Sequence, residues 1–396
     1  MLLGLGVLWS LASGASAAPP PRDFTAETRA VYAVAACGDA PPPVFDAGTV
    51  RNHCRQVAHT VSLWKKQWRD RAMPWFETLL HAGYPSTVVY PFGGGDLVTL
   101  LGVYPDATEY TTLSLEGMGD PRPLAQLGSD QPRERALRAT RLSAELTRMR
   151  RQLTINLGWA WNTTNDLSAG SSSTGDGVPN ILSLTLVALQ AHGYEVLEAR
   201  YFELAADGTP RYLTTAEVEA FDAEQAKAPR RHIVKDNTTV QPGLFNNIEL
   251  VFRKRGEPNA PKKIFRHIGA DLSDEGFAQS GAAYAYLDHR AGMAAMTKAS
   301  SYLLWDPEFA KLRGLLLARM KLMISDDTGI PPRFAQPAGF TQQVFGAYRG
   351  AFFHFADKAT AKEMVELWKA APAGKLGFHF GYYDNRRNTH VLYTHR

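Results

Sequence analysis

Thr87-Val88-Val89-Tyr90-Pro91-Phe92-Gly93-Gly94-Gly95-Asp96, then an apolar stretch over 97–104, then Tyr110-Thr111-Thr112-Leu113-Ser114-Leu115-Glu116, is the passage that decides the fold class. Residues 87–92 are β-branched or aromatic apart from one proline, which reads as a short buried strand. The three glycines and Asp96 make a turn. Residues 97–104 read as a helix, and 110–115 as a second strand ending at Glu116. Strand, helix and strand fit into about thirty residues, the unit from which parallel sheets are assembled.

Working outward, Asp130 followed by Pro132 marks the start of a helix running to about 154. An apolar helix over 178–191 is closed by Gly193 and leads into a strand at 194–202. Strands are expected again at 248–253 and 263–268, and a helix at 276–289. Leu312, Leu315, Leu316, Met320 and Met323 share one face of a long helix over 307–324. Residues 376–382 and 389–394, around Asp384-Asn385-Arg386, pattern a C-terminal β-hairpin. This alternation predicts an α/β domain over 85–396: a Rossmann-like, mostly parallel sheet flanked by helices, with an antiparallel edge. Residues 205–247 are polar and punctuated by proline, and read as a surface insertion with one charged helix near 216–227.

Upstream, 24–84 reads as a helical N-terminal segment. Val50, Cys54, Val57, Val61, Trp64 and Trp68 recur at spacings of three and four, and Pro74 is expected to end or kink the helix. Residues 2–12 are an apolar core, followed by small residues and Pro19-Pro20-Pro21. This is the pattern of a signal peptide over 1–18, cleaved after Ala17 or Ala18, although no Lys or Arg precedes it. Cys37 and Cys54 are the only cysteines. In an oxidising compartment they are expected to pair, stabilising the fold by roughly 3 kcal/mol through loop closure. The expected location is therefore periplasmic or extracellular.

Composition excludes several classes. With 43 basic and 39 acidic residues the net charge is only +4, which argues against nucleic-acid or membrane-surface partners. No apolar run is long enough for a membrane span. Ser62-Leu63-Trp64-Lys65 matches a β-lactamase pattern, but no Lys-Thr-Gly follows. The seven arginines between Arg133 and Arg151 point around much of their helix and read as a solvated surface. No two of the eleven histidines lie four apart on one helix face, so no metal site follows from their spacing.

The candidate site is built from loops. Gly94 and Gly95 let backbone N–H groups approach an anion at a helix start, and Glu116 follows the next strand, as in dinucleotide sites. Against that, the third glycine of the fingerprint falls on Val98, and Asp96 would repel a phosphate. Asp326-Asp327-Thr328-Gly329 places two carboxylates at the expected end of a helix, opposing its dipole, with Arg333 near enough in sequence to neutralise one. Lys298, with Ser300 and Ser301, falls in an apolar segment and needs a carboxylate partner, for which Asp326 or Asp327 is the natural choice. Asn165 and Asp166 lie in a loop, and Asp271 follows a predicted strand.

Tyr90 to Asp96, Tyr104-Pro105-Asp106-Ala107, Leu115-Glu116-Gly117, Thr164-Asn165-Asp166, Lys298-Ala299-Ser300-Ser301-Tyr302-Leu303 and Asp326 to Pro331 occur in this order. Together they resemble an uncharacterised family of exported bacterial proteins with no assigned activity. The family's turn is usually Ser-Gly-Pro-Asp, and it more often has Ser where Thr328 stands. The resemblance implies one shared α/β fold and one shared site, but no substrate.

Three functions follow as expectations. The first is a hydrolase-type enzyme with catalytic Asp96, Glu116, Asp166, Lys298, Asp326 and Asp327. Gly94, Gly95, Asn165, Ser300, Ser301 and Arg333 would bind a small polar molecule or glycan, and carboxylates could also hold a divalent cation. The second is a non-catalytic binder of the same ligands. The third is an adenosyl-methionine- or nucleotide-binding relative, which export disfavours.

Overall fold

The computed structural model describes residues 19–159, 177–227, 243–354, 356–371, 376–382 and 389–396. The ten strands are β1 (Thr87–Pro91), β2 (Glu109–Ser114), β3 (Tyr194–Leu204), β4 (Pro210–Tyr212), β5 (Asn247–Lys254), β6 (Lys263–Gly269), β7 (Met293–Thr297), β8 (Met320–Ser325), β9 (Thr341–Ala347) and β10 (Thr389–His395). They form one sheet in the order β4-β3-β5-β6-β2-β1-β7-β8-β10-β9. The central five, β6 to β8, run parallel. Both wings are antiparallel, so the sheet is mixed and not mostly parallel.

Alternate residues of each central strand face two cores. Val88 and Tyr90 point into the larger one, with Val57, Trp64 and Trp68 of helices Ala47–Trp64 and Lys65–Arg69 and Leu182 and Leu186 of helix Asn180–Ala191. Val89 points into the other, against Tyr286 and Leu287 of helix Gly281–Asp288 and Leu312 to Leu316 of helix Ala310–Arg319. Helices therefore flank both faces of an α/β sheet. The helices at Thr25–Val34, Ala47–Trp64 and Asp70–Leu79 share the larger core with the sheet. Cys37 and Cys54 form a disulfide tying the turn after the first of these helices to the second. No helix among the described residues is long and apolar enough to cross a membrane.

Several sequence expectations are corrected. The helix expected over 307–324 stops at Arg319, and Met320–Ser325 is a strand. Apart from Lys321, that strand is buried on both faces, so it lacks the alternation that would mark it. The C-terminal hairpin is also absent. Residues 376–382 form no strand, while β10 pairs with β9 and β8. Strand β9 fully buries only Val344 and carries too little apolar alternation to mark it. Pro74 lies inside helix Asp70–Leu79 without ending it, and the irregularity is a π-turn at Lys65–Arg69. The helix expected over 276–289 is two, broken at the extended Ser280. In the polar stretch 205–247, Pro210–Tyr212 joins the sheet as an outer strand, and helix Thr215–Lys227 buries Val218. The expected signal peptide, Asn165 and Asp166 lie outside the described residues.

Candidate functional site

From β1 the chain moves to β2, and it reaches β7 only after completing β6. The loops after β1 and β7 therefore part at the middle of the parallel set, where open sheets form a crevice beyond their carboxyl ends. The backbone is strained there. Of five described non-glycine residues with positive φ, four lie in these loops: Phe92 (62°), Ala299 (51°), Ser301 (51°) and Tyr302 (59°). Each such conformation costs of order 1–3 kcal/mol and persists only where the surroundings enforce it.

One polar cluster spans β1 and β7. Lys298 Nζ lies 2.6 Å from Asp96 Oδ2 and donates to Thr99 Oγ1 at 2.8 Å. Thr99 donates in turn to Asp96 Oδ1 at 2.7 Å, and Tyr90 donates to Asp96 Oδ2 at 3.1 Å. All four residues are buried. Asp96 occupies the N-cap position of helix Leu97–Val103, but its carboxylate serves these side chains, not the helix backbone. The expected partner of Lys298 was Asp326 or Asp327. The neighbouring strand supplies Asp96 instead, because the Asp326 carboxylate is already filled by other donors.

The second cluster follows β8. Asp326 Oδ1 accepts from Thr328 N at 3.0 Å and from Thr328 Oγ1 at 2.5 Å. Its Oδ2 accepts from Ala299 N at 2.8 Å and, more weakly, from Tyr382 N at 3.3 Å. Ser300 Oγ donates to Thr328 Oγ1 at 2.9 Å, giving a directed chain from Ser300 through Thr328 to Asp326. Burial, followed by repulsion from Asp327, pushes the Asp326 carboxyl up to about 6. Asp327 Oδ2 accepts from Tyr302 OH at 3.0 Å, and Asp327 Oδ1 lies 2.8 Å from His390 Nε2. Asp326, Asp327, Thr328 and His390 have no exposed surface. Burial and the Asp327 charge push the Tyr302 and Tyr348 phenols far up.

Since Asp326 and Asp327 follow a strand, no helix dipole opposes them, contrary to the sequence reading. Gly381, at φ 76°, comes so close that a Cβ there would lie 2.0 Å from Asp326 Oδ2. An aromatic layer covers the cluster. Phe352 stacks on Tyr382 at 5.0 Å, and Phe353 meets Tyr382 edge-on at 4.9 Å.

Asp96, Lys298, Ser300, Ser301, Asp326 and Asp327 thus gather around one loop, 298–302. Ser301 is its exposed member, and its N–H donates to Tyr382 OH at 3.2 Å. Glu116 is buried at the end of β2. Its carbonyl accepts from His267 Nε2 at 2.8 Å, and its described hydrogen bonds do not reach the two clusters. Gly94 adopts φ 45°, while Gly95 is packed against Leu184. Arg333 does not meet the aspartates. It pairs with Asp357 and Glu363 and donates to Thr360. Asp271 accepts from Ser273 N in a local turn at 2.9 Å.

Sequence reasoning missed His390, Tyr302, Tyr348, Thr328, Thr99 and Tyr90. His390 reaches the site through sheet register: the antiparallel pairing of Leu392 with Ser325 carries it opposite Asp327, sixty-three positions away in the chain. The chain matches no protein-family model and no curated protein sequence.

Proposed function

We propose that this chain is an exported enzyme of hydrolase type, acting on a small polar molecule or glycan beyond the carboxyl ends of β1, β7 and β8. The observation that carries the reading is the directed chain Ser300–Thr328–Asp326, set in a loop of strained backbone where the parallel strands diverge. A hydroxyl one relay step from a carboxylate can pass its proton inward as its oxygen attacks an electrophilic carbon, and the same path returns the proton to the leaving group. Lys298 and Asp96 are paired on the β1 side of the same loop, and Ser301 stands at its solvent side. Export is supported by the Cys37–Cys54 bridge together with the leader-like sequence over 1–18.

A second reading, a non-catalytic binder, is favoured by the half-buried Phe352 ring, which is backed by the buried Tyr382 ring and offers a platform to a sugar or planar ring. Chromogenic ester, amide, glycoside and phosphate panels separate the two. Turnover by the wild type that falls at least a hundredfold in Ser300→Ala and Asp326→Asn supports the enzyme. Unchanged turnover in both folded variants refutes the relay. Saturable glycan binding with no turnover of any panel member establishes the binder.

A further inference from the structure

The two clusters differ in charge balance. Around loop 298–302 three buried carboxylates, Asp96, Asp326 and Asp327, face one buried ammonium, Lys298, which is committed to Asp96. Isolated charges are expelled from protein interiors unless paired or bound to a metal. The donors around His390 also conflict. Its Nε2 lies 3.0 Å from Asp327 N–H and 2.8 Å from Asp327 Oδ1. One ring nitrogen can accept from the first or donate to the second, but not both. His390 Nδ1 is buried without a hydrogen-bond partner, and the buried Tyr348 hydroxyl is turned toward Asp327, with its ring 5.1 Å from the imidazole.

We propose that Asp327 and His390, backed by Asp326, hold one divalent transition-metal ion, Zn2+ or Mn2+. A carboxylate oxygen or ring nitrogen from each of the three residues lies within 4.8 Å of the other two. Two ligands that each approach one ion at about 2.0–2.2 Å stand roughly 3–3.5 Å apart, so the Asp327 Oδ1–His390 Nε2 pair, 2.8 Å apart, opens by about half an ångström to admit one. Asp326 joins through Oδ2, where the 3.3 Å bond from Tyr382 is the weakest of its four and the one an ion displaces. Mixed carboxylate and imidazole donors select ions of this class over Ca2+, which takes oxygen ligands. Trp368, with its ring 5.4 Å from the imidazole, and Tyr348 hold His390 in place and shield the ion from water.

The proposal deepens the reading of this site as a functional centre, but its test needs no substrate. Chelator-treated wild-type protein is titrated separately with ZnCl2, MnCl2 and CaCl2, following heat and thermal midpoint. One Zn2+ or Mn2+ per chain is expected, raising the midpoint by about 3 °C at a hundredfold excess over Kd. Binding is lost in His390→Gln and Asp327→Asn, and weakens about tenfold in Tyr348→Phe. If Asp327→Asn does not fold, the other two variants decide. Absence of binding by the folded wild type, equal binding by His390→Gln, or a preference for Ca2+ overturns the proposal. Failure of every chromogenic substrate leaves this result standing, and loss of metal binding leaves the hydroxyl relay standing.

Discussion

Two buried polar clusters lie side by side at the ends of β1, β7 and β8, and they meet the demands of burial differently. Around Asp96 the strands supply a cation, a hydroxyl and a phenol, so the carboxylate is matched in charge and in hydrogen bonds. Around Asp326 and Asp327 they supply mainly backbone N–H groups, hydroxyls and the His390 imidazole, with no Lys or Arg among the described partners. A region complete in itself reads as architecture. One whose carboxylates are hydrogen-bonded yet lack a Lys or Arg partner, on strained backbone, reads as a site awaiting a proton, an ion or a substrate.

The strongest way to break this comparison is to make the first cluster resemble the second. Lys298→Met leaves Asp96 buried without its cation and is expected to cost about 3–5 kcal/mol in urea unfolding. A loss below about 1 kcal/mol would show that this environment tolerates a bare carboxylate, and the charge argument for Asp327 would fall with it.

A third buried polar group, His53, shows how neutrality solves the same problem. Its Nε2 donates to Ala35 O at 2.8 Å, and its Nδ1 accepts from Arg150 at 3.0 Å. Burial lowers its pKa to about 4, below the 6.5 of the unfolded chain. The unfolded state therefore takes up a proton first, and stability falls as pH drops from about 6.5 to 4. Asp326, raised to about 6, works in the opposite sense: its folded form gains a proton first, so its contribution is largest in acid and is lost as pH rises through 6. Comparing wild type with His53→Gln at pH 7 and pH 4.5 isolates the histidine. The wild type should lose up to ~3 kcal/mol relative to the variant, and parallel pH profiles would contradict it.

Gly381→Ala probes how tightly the second cluster is enclosed. The new methyl group would press on the Asp326 carboxylate from a left-handed backbone, and overpacking of this kind costs about 1–3 kcal/mol. A midpoint in urea unchanged from wild type would mean that Asp326 is free to move. The smallest effect is expected at Arg333→Ala. Its partners, exposed Asp357, half-buried Glu363 and the Thr360 hydroxyl, belong to neither cluster, so stability should change by about 0–1 kcal/mol, and Zn2+ or Mn2+ binding not at all. Loss of metal binding there would place Arg333 back in the site.

Local pattern determined a good deal by itself. Thr87–Pro91, the turn after it and Glu109–Ser114 were legible because turn glycines and β-branched runs act within a few residues. The Cys37–Cys54 bridge followed from there being only two cysteines. Lys298 and the aspartates stood out because charged residues beside apolar runs need partners. Tertiary structure alone decided the rest. Met320–Ser325 fits a helical period as well as a strand, and only its place between β7 and β10 resolves the choice. Asp96 became the partner of Lys298 because β1 and β7 are neighbours, although two hundred residues separate the pair in sequence. His390 carries no local signal, since its role comes from the register of β10 against β8. Periodicity reports which face a residue occupies within its own element, whereas charge pairing and ligand sets depend on which elements the sheet brings together.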